Sequence, residues 1–185
     1  MTPATHAAAP PPPHVHGGDT AAIHHDPRDL RNALGKFATG VCVITTRGPD
    51  GKLEGLTANS FCSISLDPPI VLWSLRKDAG SLSTFKEASH FCINVLHARQ
   101  VGMSRHFCSP QLNKFDGVAD EFTEGLQGIP ALKNALATFE CEQLEYHSVG
   151  DHIVFYGAVK RYTYSQATPL AFHSGAYTTV QPLSD

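Results

Sequence analysis

ALATFECEQLEYHSVGDHIVFYGAVKRYTY, residues 135–164, decides the fold. Two runs rich in aromatic and β-branched residues flank Gly150 and Asp151, and with that pair as the turn they predict a long antiparallel hairpin. A third strand candidate, PLAFHSGAYTTV (169–180), follows it. Upstream, VCVITT (41–46) and LEGLTA (53–58) flank a turn, GPDGK, and predict two more strands in a meander. SFCSISL (60–66) alternates Phe61, Ser63 and Ser65 against Cys62, Ile64 and Leu66, and Asp67-Pro68-Pro69 ends it. IVLWSL (70–75) then continues apolar on both faces, so these two segments read as core strands. HFCINVL (90–96) is another strand.

Helical signals are short. DLRNALGKFATG (29–40) sets Leu30, Leu34 and Phe37 at helical spacing and stops at Gly40. SLSTFKEAS (81–89) predicts a helix with Ser81 as N-cap. Between 97 and 130 the chain begins helically through Arg99 to Phe107 and then turns polar, with KFDGV (114–118) placed as a functional or dimer-contacting insertion. Many strands, few helices and a long terminal hairpin predict a mainly-β fold with flanking helices, a closed or split antiparallel barrel. A Rossmann domain is disfavoured, because no G-x-G-x-x-G follows a strand.

Composition narrows the function. The 185 residues are 42% hydrophobic and 17% charged, with a formal net charge of −3, as in an ordinary soluble domain. No dense positive field is present for a phosphate backbone, so nucleic acid is an unfavoured partner. No apolar stretch is long enough to span a bilayer, and the first residues lack the charged and apolar regions of a leader, so a cytoplasmic location is expected. Cys42, Cys62, Cys92, Cys108 and Cys141 form no C-x-x-C pair, which suits a reducing compartment. The first three sit among apolar residues and are read as small buried hydrophobes. Residues 1–26, with Pro10 to Pro13 in one run and five histidines, read as a disordered Pro/His-rich arm, leaving 27–185 as the folded domain. His6, His14, His16, His24 and His25 are irregularly spaced for a metal site, and none is assigned.

GLTANSFCSISLDPP (55–69) resembles the flavin reductase-like family. FATGVCVITT (37–46), HFCINVL, KFDGV, GDHIVFYGAV (150–159) and PLAFHSGAY (169–177) extend the likeness in the family's order, over about residues 30–180. The resemblance implies an FMN-binding split β-barrel and an NAD(P)H:flavin oxidoreductase, with NADH favoured over NADPH and FMN or FAD as the flavin. It also implies a homodimer with flavin near the subunit boundary, and a partner monooxygenase that receives reduced flavin.

Site residues follow from chemistry and resemblance together. Thr57, Asn59 and Ser60 offer hydroxyl and amide groups beside small Ala58, so a planar heteroaromatic ring could approach closely. The same residues also suit an ordinary turn. By resemblance, Thr57, Ala58, Asn59 and Ser60 hold the flavin ring and ribityl chain. SLRKDAGSLSTFK gathers Ser74, Arg76, Lys77, Ser81, Thr84 and Lys86 around a helix start, where donors and positive charge suit phosphate; Ser74, Arg76, Ser81 and Lys86 are the cofactor-binding candidates. A capped surface helix explains the same residues. By resemblance, His152, next to Asp151, is the candidate for the catalytic position, placing the nicotinamide without having to act as acid or base, although a turn histidine bonded to Asp151 explains it too. Tyr177 is carried over as a residue near the flavin or at the dimer contact, although packing also explains it. Trp73 is read as core. Two rivals are a non-catalytic flavin carrier or sensor, and a reductase that keeps its flavin and passes electrons to another acceptor.

Overall fold

The computed structural model describes residues 26–183. Twelve strands follow in chain order: β1 (Thr39–Gly40), β2 (Cys42–Arg47), β3 (Leu53–Ala58), β4 (Cys62–Leu66), β5 (Pro69–Arg76), β6 (His90–Val95), β7 (Phe122–Glu124), β8 (Pro130–Leu132), β9 (Ala137–Val149), β10 (His152–Tyr164), β11 (Leu170–His173) and β12 (Ala176–Thr179). The α-helices are α1 (Pro27–Leu34), α2 (Leu82–Glu87) and α3 (Val101–Cys108). No helix among the described residues is long and apolar enough to cross a membrane.

The principal sheet has seven antiparallel strands in the order β3-β2-β6-β9-β10-β5-β4. Its edge strands, β3 and β4, are consecutive in the chain yet share no ladder. The alternating inward residues of its strands meet in one core: Cys42 and Ile44 of β2, Val71, Trp73 and Leu75 of β5, Phe91 and Ile93 of β6, Cys141 of β9, and Ile153 and Phe155 of β10. One shared core requires the sheet to curl on itself, and the unpaired edges leave it open along one seam, as in a split barrel. Trp73 is fully buried, stacked on Phe155 with centroids 4.7 Å apart, and Phe85 of α2 meets its edge. Close approach is bought at Gly157, where a Cβ would run into the Phe91 ring.

A second cluster covers the outer face of β2. There Val41, Val43 and Leu96 pack with Phe107 of α3 and with Phe115 and Phe122. The KFDGV segment therefore contributes Phe115 to this core. β1, β11 and β12 form a small separate sheet, and β7 pairs with β8. Buried Glu140 ties that last hairpin down, accepting from both Nε and a terminal nitrogen of Arg161 (2.8 and 2.6 Å) and from the Leu126 amide (2.6 Å).

The mainly-β class, the long hairpin and the buried Trp73 stand as expected. Other expectations are corrected. The first helix ends at Gly35, the first glycine after its apolar residues, and not at Gly40; its N-cap is Asp26, whose carboxylate accepts from the Arg28 amide at 2.8 Å. PLAFHSGAYTTV is two strands, β11 and β12, because Ser174 and Gly175 both take left-handed backbone (φ 48° and 82°) and reverse the chain. β4 is an edge strand, not a core strand, so Cys62 is exposed while Cys42 and Cys92 are buried. β5 buries one face only: Val71, Trp73 and Leu75 point inward, whereas Ile70, Leu72 and Ser74 are half-buried. Burial pushes the Cys42 and Cys141 thiols up to about 12, and raises Cys92 as well. The expected arm lies almost wholly outside the described residues.

Candidate functional site

At the open seam the end of β3, the corner 59–60, the end of β5 and residues 78–81 border a cleft of about 680 Å³. Residues 107–112 and Lys114 form the opposing wall, and His152 stands at the mouth of the long hairpin. That volume lies within the range of cofactor sites.

Register explains why the polar residues converge. Ser74 and Arg76 alternate with the inward Trp73 and Leu75, so they share the other face of β5. In the ladder between β10 and β5, His152 lies directly opposite Arg76. Ser60 follows β3 and stitches the corner to β5: its hydroxyl donates to the Ser74 carbonyl (3.1 Å) and accepts from the Ser74 amide (3.0 Å). The proton and one lone pair of that hydroxyl are thus used inside the protein. Asn59 donates to Thr39 Oγ1 at 3.2 Å, leaving its carbonyl oxygen and one N–H. Thr57 donates its hydroxyl proton to the Ser104 carbonyl at 2.7 Å.

The anion-side residues behave differently from a simple capped helix. Ser81 occupies the N-cap position of α2, but its side chain makes no capping bond. With only six residues, α2 has a weak dipole, and any anion would rely on the donors of residues 78–81 and on nearby cations. Arg76 is held by Asp78 in a two-pronged pair (2.8 and 2.7 Å), which raises the guanidinium and lowers the carboxyl. Lys77 reaches the Gly150 carbonyl at 2.7 Å, and Thr84 is buried.

At the mouth, His152 Nδ1 lies 2.7 Å from Asp151 Oδ1, and that bond, followed by the imidazole charge, lowers the Asp151 carboxyl. A carboxylate accepts, so Nδ1 donates and Nε2 is the nitrogen available to a ligand.

Of the residues singled out in the sequence, Thr57, Ala58, Asn59, Ser60, Ser74, Arg76, Ser81 and His152 line this cleft. Lys86 and Tyr177 are placed elsewhere. Lys86 Nζ sits 5.0 Å from the Tyr146 ring centroid, and Tyr177 hydrogen-bonds Ser104 Oγ at 2.8 Å beneath the Arg105 guanidinium. The sequence reading missed the Lys52–Glu54 pair (2.7 Å) on the cleft wall and residues 107–112 of the far wall, whereas Lys114 opens the KFDGV segment, read there as functional or dimer-contacting. Strand alternation on β3 places Glu54 and Leu56 together and could have drawn attention to that pair. Nothing local marks residues 107–112, which are brought in by α3.

An open, curled antiparallel sheet with a polar cleft along its seam defines a split-barrel protein with a site of cofactor size. A match to the Flavin reductase like domain spans residues 34–181, and the chain belongs to that family. It is 43% identical over 150 residues to the NADH-dependent FMN reductase SmoA of Agrobacterium fabrum, covering 81% of this chain and 84% of that protein. It is 37% identical to HsaB of Rhodococcus jostii, the reductase subunit of a flavin-dependent monooxygenase, covering 89% of this chain and 84% of that one. The solved structure of the NADH:FAD oxidoreductase SgcE6 of Streptomyces globisporus, in complex with NAD and FAD fragments, superposes with a TM-score of 0.79 at 34% identity, covering 89% of this chain and all of that one (100%).

Proposed function

We infer that this chain is an NAD(P)H-dependent flavin reductase that takes hydride from NADH, reduces FMN or FAD, and supplies the reduced flavin to a partner monooxygenase. The observation that carries this reading is the convergence of Thr57, Ala58, Asn59, Ser74, Ser81 and His152 on one cleft, in a chain of this family.

The lining fits a flavin. Ala58 leaves room for a ring to lie close, Asn59 keeps both an acceptor and a donor, and the Ser81 hydroxyl is not spent on capping. At the cleft's rim Lys52 and Arg76 are each paired with a carboxylate, Glu54 and Asp78, so the positive charge offered to a phosphate comes from Lys114, whose ammonium bonds only the Phe107 carbonyl among the described residues. Ser60 fixes the corner and, its proton being committed to the Ser74 carbonyl, can only accept from a ligand. When bound, the nicotinamide supplies the hydride and the flavin ring accepts it. His152 is the positioning candidate for the nicotinamide: Asp151 fixes its ring, and Nε2 can accept from a carboxamide N–H. Phe107 and the residues after it border the cleft on its far side.

The same reading makes the enzyme a homodimer with the cleft near the subunit boundary. Support comes from apolar side chains that one chain leaves uncovered: Leu34 and Phe37 are 67% and 78% exposed, and Leu66 on edge strand β4 is 92% exposed. The activity resides in the domain 27–185 and the enzyme works in the cytoplasm, in keeping with five free cysteines.

Nicotinamide absorbance in air tests this directly, with NADH and NADPH each offered FMN, FAD or no flavin. Oxidation that depends on added flavin is expected. Flavin binding without oxidation by either nicotinamide would overturn the reductase in favour of a carrier or sensor.

A further inference from the structure

Ser104 is a fully buried polar residue on α3 that the sequence reading gave no role. Its two polar groups face two different parts of the molecule. The main-chain oxygen accepts the Thr57 hydroxyl proton at 2.7 Å, and the side-chain oxygen is hydrogen-bonded to the Tyr177 hydroxyl at 2.8 Å. Tyr177 lies on β12, outside the cleft, and its ring packs on Phe172 and under Arg105. On the cleft side, α3 is seated directly on β3, since Phe107 occupies the space a side chain at Gly55 would need. Helix, cleft wall and terminal hairpin therefore meet at one residue.

We propose that Ser104 is a positioning residue that sets the hydrogen-bonding polarity of Thr57, and that Tyr177 acts on the cleft through it. A hydroxyl has one proton and two lone pairs. With the proton committed to the Ser104 carbonyl, Thr57 Oγ1 meets a ligand only as an acceptor, so the cleft wall at this point selects a ligand N–H or O–H. Tyr177, by holding Ser104 Oγ, keeps that turn of α3 in register with β3. This gives Tyr177 a role at a distance, where the sequence suggested direct contact with flavin.

The proposal rests on the cleft being the flavin site. Its test is a double-mutant cycle on the full chain, read by flavin Kd and by thermal unfolding in the absence of flavin. Ser104→Ala and Tyr177→Phe both keep the main-chain carbonyl that Thr57 uses and lose only the Ser104 Oγ bond to Tyr177 that holds this turn of α3 in place. Each is expected to raise Kd by about two- to tenfold, the effect of one ordinary hydrogen bond. Their combination is expected to be no weaker than either alone. In a Thr57→Val background, Ser104→Ala is expected to leave Kd unchanged while still lowering the unfolding temperature, which separates positioning from general support of the fold. Should Ser104→Ala fold poorly, Tyr177→Phe, at a half-buried site, carries the same cycle. Unchanged Kd in both single variants, or equal losses with and without Thr57, would overturn the proposal. Wild-type protein that binds no flavin would instead overturn the reading of the cleft, and this proposal with it.

Discussion

The barrel interior and the seam cleft are built from the same strands and differ in almost every physical respect. β5 shows this most clearly. Trp73 is sealed in an aromatic core with Phe85, Phe91 and Phe155, whereas Ser74, the next residue, and Arg76 two further on look into the cleft. The interior is held by area removed from water and by close packing, which have no fixed direction. The cleft is held by directed bonds: Ser60 to Ser74, Arg76 to Asp78, Asp151 to His152. Damage to the first should therefore cost stability, and damage to the second should cost ligand affinity with little change in stability.

Phe155→Ala should show the largest effect, because it removes a fully buried ring stacked on Trp73. A loss of about 3 to 5 kcal/mol is expected in denaturant unfolding, with residual folded protein still binding flavin. A variant that loses flavin affinity but keeps its stability would break the separation of core from cleft. Asn59→Ala should be smaller and of the opposite kind. Flavin affinity is expected to fall about fivefold, with unfolding free energy changed by less than about 0.5 kcal/mol.

The smallest effect belongs to Asp151. Its carboxyl is lowered by the bond from His152, so its contribution to folding is present above its ordinary value of 3.8 and disappears as pH falls through the lower folded value. Asp151→Asn should flatten that acid limb, measured as unfolding midpoint against pH, and the two proteins should converge at the acid end. An Asp151→Asn profile parallel to wild type would show that the His152 bond contributes nothing to the folded state.

The fold was legible where a strand's own residues decide it. The alternation of β5, the turn at Gly150-Asp151 and the branched residues of β6 all speak locally. What escaped was set by neighbours. β4 carries as much apolar alternation as a core strand, and only the sheet order makes it an edge. The break inside PLAFHSGAYTTV hinges on Ser174 taking a left-handed backbone, which a serine does not advertise, although the adjacent Gly175 was a visible signal. In the site, the polar run Thr57 to Ser60 could be read because its residues are contiguous. Phe107 could not, because it reaches the cleft across some 50 positions of chain, carried there by α3 (Thr57 and Ser104 are 47 residues apart).

The register between β5 and β10 has a consequence for how this molecule can change over generations. Trp73 faces Phe155 and Arg76 faces His152 in one continuous ladder. A point substitution can alter the core or the mouth of the cleft separately. A one-residue insertion or deletion within either strand would exchange the two faces, sending charged side chains inward and aromatic ones out. Length along this ladder is therefore locked, while the span from Ser109 to Leu112, which carries no strand, is free to lengthen or shorten. Descendants of this chain that accept new ligands should differ from it by insertions on the far wall and by substitutions on the near one.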